Sequence, residues 1–326
     1  MKKSLIASAV VAALVLSTSA VLAAEAPVEL DGSISYQYRN VKDTGSSSKK
    51  INKTTMILNA NGDLGSGWGF YGRLAVQGAN GGKDFNTGAY AYGSTAQYVA
   101  ALDEFGFSYK AGDTTFKIGR QPLFVGATGI IYDSTGNLGK HMFTDGVTVA
   151  GKNGALSYTA AAVQEDNINN ADSKNKIYAA HGDYAITPDF TLGATLGRYE
   201  YDHSTDGTSR SIWAVNAAYN LGNASFYTEY AKTNMDTANK AFDYGVSYKF
   251  DDKNSVSANI FRVEKNGEFN EVYGMTTWDS NNHGAYYTYN HKFSKDTSVG
   301  FLYKDIENND NGNKDTQFRT TVSYKF

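Results

Sequence analysis

Little in this 326-residue sequence is suited to covalent chemistry. Its five histidines, His141, His181, His203, His283 and His291, fall singly, without the HExxH spacing that puts two imidazoles on one metal ion. There is no cysteine, and no GxSxG turn to present a serine nucleophile. His203 beside Ser204 and Asp206 is the one local cluster with hydrolase-type residues, and a polar surface loop accounts for it more simply. What the chain has instead is charge at regular spacing. Arg39, Lys53, Arg73, Lys117, Arg319 and Lys325, with Glu104, Asp183, Glu229 and Asp243, lie on the polar parity of alternating stretches. Basic and acidic groups facing each other across a gap make a transverse field that orders water and sorts solutes by charge and size. Such a site is electrostatic, and it implies no catalysis, no metal and no cofactor.

The elements that would position these charges alternate with period two. LDGSISYQY sets Leu30, Ile34, Tyr36 and Tyr38 against Ser33, Ser35, Gln37 and Arg39. EFGFSYK sets Phe105, Phe107 and Tyr109 against Glu104, Ser108 and Lys110, and FDYGVSYKF repeats the scheme. Each such strand has one wet and one dry face. The pattern predicts sixteen strands, with individual ends good to a few residues.

The first 23 residues stand apart. Lys2 and Lys3 precede an apolar run from Leu5 to Leu16, and Val21-Leu22-Ala23 reads as a small-residue cleavage site. That is the layout of a secretory signal peptide, and the run is shorter than the ~20 residues a spanning helix needs. The remainder, residues 24–326, reads as one domain. It has three prolines, 33 glycines and 24 tyrosines, and no later apolar stretch long enough for a membrane helix. A net charge of −3 gives no basic surface for nucleic acid.

Two architectures can bury one-sided strands: a sandwich with its apolar faces turned together, or a membrane barrel with those faces turned to lipid. The connections favour the barrel. Short links such as 111–113, 152–153 and 221–222 alternate with long polar ones such as 41–50, 79–95, 165–174 and 265–281. Tight turns on one side and long loops on the other are expected of an outer-membrane barrel. An even strand count puts both termini on the tight-turn, periplasmic side. The expected fold is therefore all-β, a transmembrane antiparallel up-and-down β-barrel with a water-filled lumen.

The chain ends on FRTTVSYKF, with Phe318, Thr320, Val322, Tyr324 and Phe326 on one face. This resembles the terminal signature of bacterial outer-membrane proteins, and the resemblance implies that Tyr324 and Phe326 serve as an assembly signal for the outer-membrane machinery. A soluble protein has reason to avoid such an exposed edge.

After the fifth strand comes FKIGRQPLFVGATGIIYDSTGNLGKHMFTDG, a connection from Gln121 to Phe143 that is unusually apolar for an exterior loop. It should pack against something, and the inner barrel wall is the nearest surface. Through Phe116, Ile118, Gly119, Arg120, Tyr132 and Asp133 the chain resembles the general diffusion porins of Gram-negative outer membranes. The resemblance implies that this loop folds into the lumen, that Arg120 on the wall faces Asp133 on the loop, and that the molecule is a homotrimer. Arg120 shares the parity of Phe116 and Ile118, so a strand-end irregularity would have to turn it inward. The loop is poor in acids, with Lys140 between Asp133 and Asp145, so the family's common cation preference does not carry over.

The expected constriction thus comprises Arg39, Arg73, Glu104, Arg120, Asp133, Lys140 and Arg319. The expected function is passive diffusion of small hydrophilic solutes and ions, in contact with outer-membrane lipid and lipopolysaccharide. Acid-rich loops such as EDNINNADSKN would meet lipopolysaccharide through bound cations. The alternatives are a channel specific for a sugar, organic acid or phosphate, with Tyr71, Tyr227 and Tyr286 along the lumen, and a plugged structural or adhesive barrel.

Overall fold

A computed structural model describes residues 28–79, 98–136, 138–139, 143–165, 174–203, 207–269 and 277–326. The expected leader, residues 1–23, lies outside them, as does nearly all of the connection 79–95. The strands are β1 Val28–Asp43, β2 Lys49–Gly65, β3 Trp68–Ala79, β4 Tyr98–Ala111, β5 Thr114–Gln121, β6 Phe124–Val125, β7 Tyr132–Asp133, β8 Thr144–Asn153 and β9 Leu156–Glu165. They continue as β10 Lys176–Ala185, β11 Phe190–Glu200, β12 Arg210–Leu221, β13 Ala224–Thr233, β14 Lys240–Lys249, β15 Asn254–Val263, β16 Asn282–Lys292, β17 Thr297–Asn308 and β18 Lys314–Lys325.

All but β6 and β7 join one closed antiparallel barrel of sixteen strands. Each pairs with its neighbour in sequence, β5 pairs with β8 across the long connection, and β18 pairs with β1. The all-β up-and-down barrel read from the alternation is therefore the observed fold. Closure runs from Ser33 opposite Lys325 to Asp43 opposite Asp315. Beyond that ladder, Gly32 N–H donates to the Phe326 carbonyl (3.0 Å) and Phe326 N–H to the Gly32 carbonyl (3.1 Å). Gly32 has to be glycine here, because a Cβ would lie 2.4 Å from the Ile57 carbonyl oxygen and 2.8 Å from the Phe326 ring.

Period-two alternation places the apolar parity outside. One outward row runs Phe70, Phe107, Ile118, Val147 across β3, β4, β5 and β8, and Phe107, Ile118 and Val147 are exposed. Towards the short-turn rim, rings cluster in pairs: Trp68 with Tyr109 (4.8 Å between centroids), Tyr248 with Phe250 (5.1 Å) and Tyr324 with Phe326 (6.4 Å). Such rings suit a boundary where one end is apolar and the other wet. The short turns are locally closed. Asp251 accepts from the Lys253 and Asn254 N–H groups, each at 2.7 Å. The Asn254 side-chain amide, and then the Lys253 N–H, hold its carboxyl below the usual range.

Replacing outward Ile118 by arginine is expected to cost about 2–4 kcal/mol of folding free energy, whereas arginine at lumen-facing Thr159 costs less than about 1 kcal/mol. Denaturant titration of folding into lipid vesicles measures both.

Candidate functional site

The connection between β5 and β8 folds into the lumen, with β6 and β7 paired as a two-residue hairpin. Leu123, Val125, Ile130, Ile131 and Tyr132 are buried against Val163, Ile177, Tyr199, Ile212, Phe261 and Val263 of the inner wall. Burying each such side chain contributes about 1.5–3 kcal/mol. An apolar loop and an apolar patch of wall, each costly in water, cover one another.

Polar contacts fix the tip. Glu229 on β13 accepts from Ala127 N–H (3.1 Å), Thr128 N–H (2.8 Å) and Thr128 Oγ1 (2.8 Å). Its cross-strand partner Asp243 accepts from Thr128 Oγ1 (3.1 Å) and from Glu229 N–H (3.1 Å). Gly126, at φ +93°, lets the chain approach, since a Cβ there would sit 2.5 Å from Glu229 Oε1. At the base, Tyr132 donates to Glu165 Oε1 (2.9 Å), and Tyr199 donates to the other oxygen. Burial and then Glu165 push the Tyr132 phenol well above its ordinary value, so it stays a neutral donor. On the return leg Leu138 packs with Ala75 and Ala101, and Gly139 N–H donates to Asp103 Oδ2 (2.9 Å). The loop therefore crosses the lumen from β13 and β14 to β3 and β4.

A second inward segment, not foreseen from the sequence, comes from the described residues 264–269 and 277–281 of the connection after β15. Phe269 N–H donates to the Ile131 carbonyl (3.3 Å), Thr277 N–H to the Gly129 carbonyl (3.1 Å) and Thr277 Oγ1 to Asp133 Oδ2 (2.8 Å). Trp278 stacks on Phe261 at 5.2 Å between centroids and contacts the Tyr286 ring. The expectation of a long polar exterior loop at 265–281 is corrected for its described residues, 265–269 and 277–281, and the missed signal was its aromatics, Phe269 and Trp278.

Among the charges, Arg73 holds Asp103 through two bonds (2.8 and 3.0 Å) and Glu104 through a third contact (2.7 Å). Its guanidinium also lies 4.8 Å from the Phe143 ring centroid. Asp103 was missed because strict alternation puts it on the lipid parity. A register shift between Arg73 and Leu74, which pair with Glu104 and Leu102, inserts it into the lumen. A carboxylate at a lipid-facing position, where charge is costly, was the clue to that bulge.

Arg39 and Arg319 are directly opposed on β1 and β18. Each donates to a glutamine of its own strand, Gln37 (3.3 Å) and Gln317 (3.1 Å), and among the described residues neither forms an ion pair. The Lys117 ammonium lies 4.8 Å from the Tyr71 ring centroid. Lys304 bridges Asp279 (2.8 Å) and Asp315 (3.2 Å).

Two expectations fail. Arg120 is not turned inward: it pairs across the strands with exposed, outward Phe105, 6.0 Å from that ring, and forms a bidentate pair with Asp145 (3.0 and 2.6 Å). The ladder keeps its phase through Gly119, so the parity of Ile118 wins. Nor does Asp133 face Arg120; it accepts from Thr135 (2.6 Å) and from Thr277 of the second loop. Arg39, Arg73, Glu104 and Arg319 line the lumen as the alternation expects. Lys140 lies outside the described residues, as do Ser204 and Asp206. Among the described residues no cluster of acids or histidines is arranged to hold a metal ion.

The profile of a family described as Gram-negative porin matches residues 7–311. No curated protein sequence matches the chain. Among solved structures it is similar to an anion-selective porin from Comamonas acidovorans, at 14% identity and a TM-score of 0.63, over 93% of this chain and 100% of that one. It is also similar to in-vitro folded OmpT of Vibrio cholerae in its trimer form, at 13% identity and a TM-score of 0.57, over 93% and 100% of the two chains. At such identities the likeness lies in the fold.

Glu229→Ala is expected to release the loop tip, giving noisier single-channel currents and faster amide exchange at Ala127 and Thr128. Quiet currents with unchanged exchange would show that the apolar packing alone holds the loop.

Proposed function

The chain belongs to the Gram-negative porin family and is an outer-membrane channel for passive diffusion, and within that family we propose that its pore favours small hydrophilic anions. The observation that carries this is the unequal fate of the lumen charges. Glu229 and Asp243 are spent on the loop tip, Asp103 and Glu104 on Arg73, and Asp279 and Asp315 on Lys304. Arg39 and Arg319, directly opposed, are left without an ion pair among the described residues. Cations on a pore wall that lack an ion-pair partner attract anions and repel cations locally. The anion-selective porin of similar fold is consistent with this reading. Arg39 and Arg319 are the constriction residues that matter most, with Arg73 a strut held by two carboxylates.

The functional unit is a homotrimer, in keeping with the trimer form of the similar OmpT. The outward row Leu58, Leu74, Leu102 offers an apolar patch for it. Residues 1–23 are a leader removed on export, and both ends of the mature chain lie in the periplasm. Tyr324 and Phe326 are read by the outer-membrane assembly machinery, and the acidic loops meet lipopolysaccharide. The family and fold are those of channels, with no reaction to assign.

In planar bilayers under a potassium chloride gradient, the reversal potential should have the sign of an anion-preferring pore. Arg39→Glu with Arg319→Glu should reverse that sign, Arg73→Ala should shift it towards cations by freeing two carboxylates, and Arg120→Ala should leave it unchanged. A cation-preferring wild-type pore would overturn the reading.

A further inference from the structure

On the short-turn side of the two joined loops the lumen contains a cavity of about 640 Å³, bounded by the wall from β10 to β16. That size lies within the range of ordinary small-molecule sites. We propose that it is a binding subsite for an uncharged saccharide of one or two rings. The proposal goes beyond anion preference and rests only on the lumen being an open aqueous path.

Aromatic residues form one part of the cavity. Phe124, at the foot of the hairpin, is 41% exposed although it lies inside the barrel. Tyr227, Trp278 and Tyr286 contribute the others. An exposed phenyl ring on a loop otherwise packed by its apolar residues is poorly explained by packing. Ring faces of this kind suit the apolar C–H faces of a pyranose.

Amides and a carboxylate form the other part. Asn216 Nδ2 donates to Asp183 Oδ1 (2.8 Å), and Asn259 donates to the Tyr227 hydroxyl. Asn216 Oδ1 is buried and has no hydrogen-bond partner. A buried acceptor left unmatched is costly, and a rotation of the Asn216 amide would present it to a ligand hydroxyl. The threonines Thr128, Thr191, Thr228 and Thr288 add hydroxyls around the same space.

Charge decides between ligand classes. Among the described residues no lysine or arginine lines this cavity. The one lining carboxylate, Asp183, is already bonded to His181 Nε2 (2.9 Å) and Asn216. A phosphate or carboxylate would find no cation here, and the free arginines belong to the β1–β18 side of the pore. A neutral ring bearing hydroxyls fits both the aromatic and the amide components.

The test adds maltose to single channels in planar bilayers, with sorbitol, an open-chain polyol without a ring face, at matched viscosity. Maltose should reduce the current saturably and reversibly, while sorbitol reduces it only in proportion to viscosity. Phe124→Ala should raise the half-blocking concentration about tenfold, the equivalent of one lost aromatic contact, and Phe124→Tyr should restore it. Phe124 lies outside the packed cluster, so both variants should fold. Maltose behaving like sorbitol, or Phe124→Ala leaving the half-blocking concentration unchanged, overturns the subsite. Equilibrium dialysis of labelled maltose against detergent-folded protein reads binding without current. Binding with no current would sink the channel reading and keep the subsite, and normal current without binding would do the reverse.

Discussion

Hydrocarbon offers no partner to a backbone N–H or C=O, and each one left bare there costs several kcal/mol. Everything else in this molecule follows from meeting that demand with a sheet that has no edge. Sixteen strands pair in a ring, and the final ladder joins β18 to β1 down to the hydrogen bonds between Phe326 and Gly32. Once the ring is closed, period-two alternation has only one assignment: the apolar parity outside and the polar parity around water.

The same closure creates a difficulty. A ring of this size is too wide to be filled by its own side chains, so an open tube would admit almost anything. The chain responds with two loops that pack against the inner wall and hydrogen-bond to each other through Phe269, Thr277, Gly129, Ile131 and Asp133. Holding them there consumes carboxylates. Glu229 and Asp243 hold one end of the first loop, and Asp103 holds both its return leg and Arg73. The carboxylates that hold the loops are therefore fixed in place, beside loop and wall, rather than presented freely to the lumen.

The barrel itself was legible in the sequence because its signal is repeated in every strand, and an error in one changes little. The inward course of the first loop was legible for a related reason: Leu123, Val125, Ile130 and Ile131 make no sense in water. What escaped were departures from phase and contacts distant in sequence. Asp103 was hidden by a single bulged residue, although a carboxylate on the lipid parity was an audible discord. Arg120 was misread in the opposite direction, by supposing an irregularity where the ladder through Gly119 keeps step. The pairing of Asp133 with Thr277 joins residues 144 positions apart, and no local pattern encodes such a contact. Family resemblance suggested which residues to examine, and here it misplaced the Arg120–Asp133 pair.

Arg39 and Arg319 sit on the first and last strands, so these two opposed cations straddle the seam where the sheet is zipped shut. Until β18 docks, a nascent barrel possesses neither a continuous wall nor its filter. Two like charges must be brought face to face by the very step that completes the ring, and the ladder around them supplies the energy. Closing the ring and setting these two cations opposite one another are thus a single step.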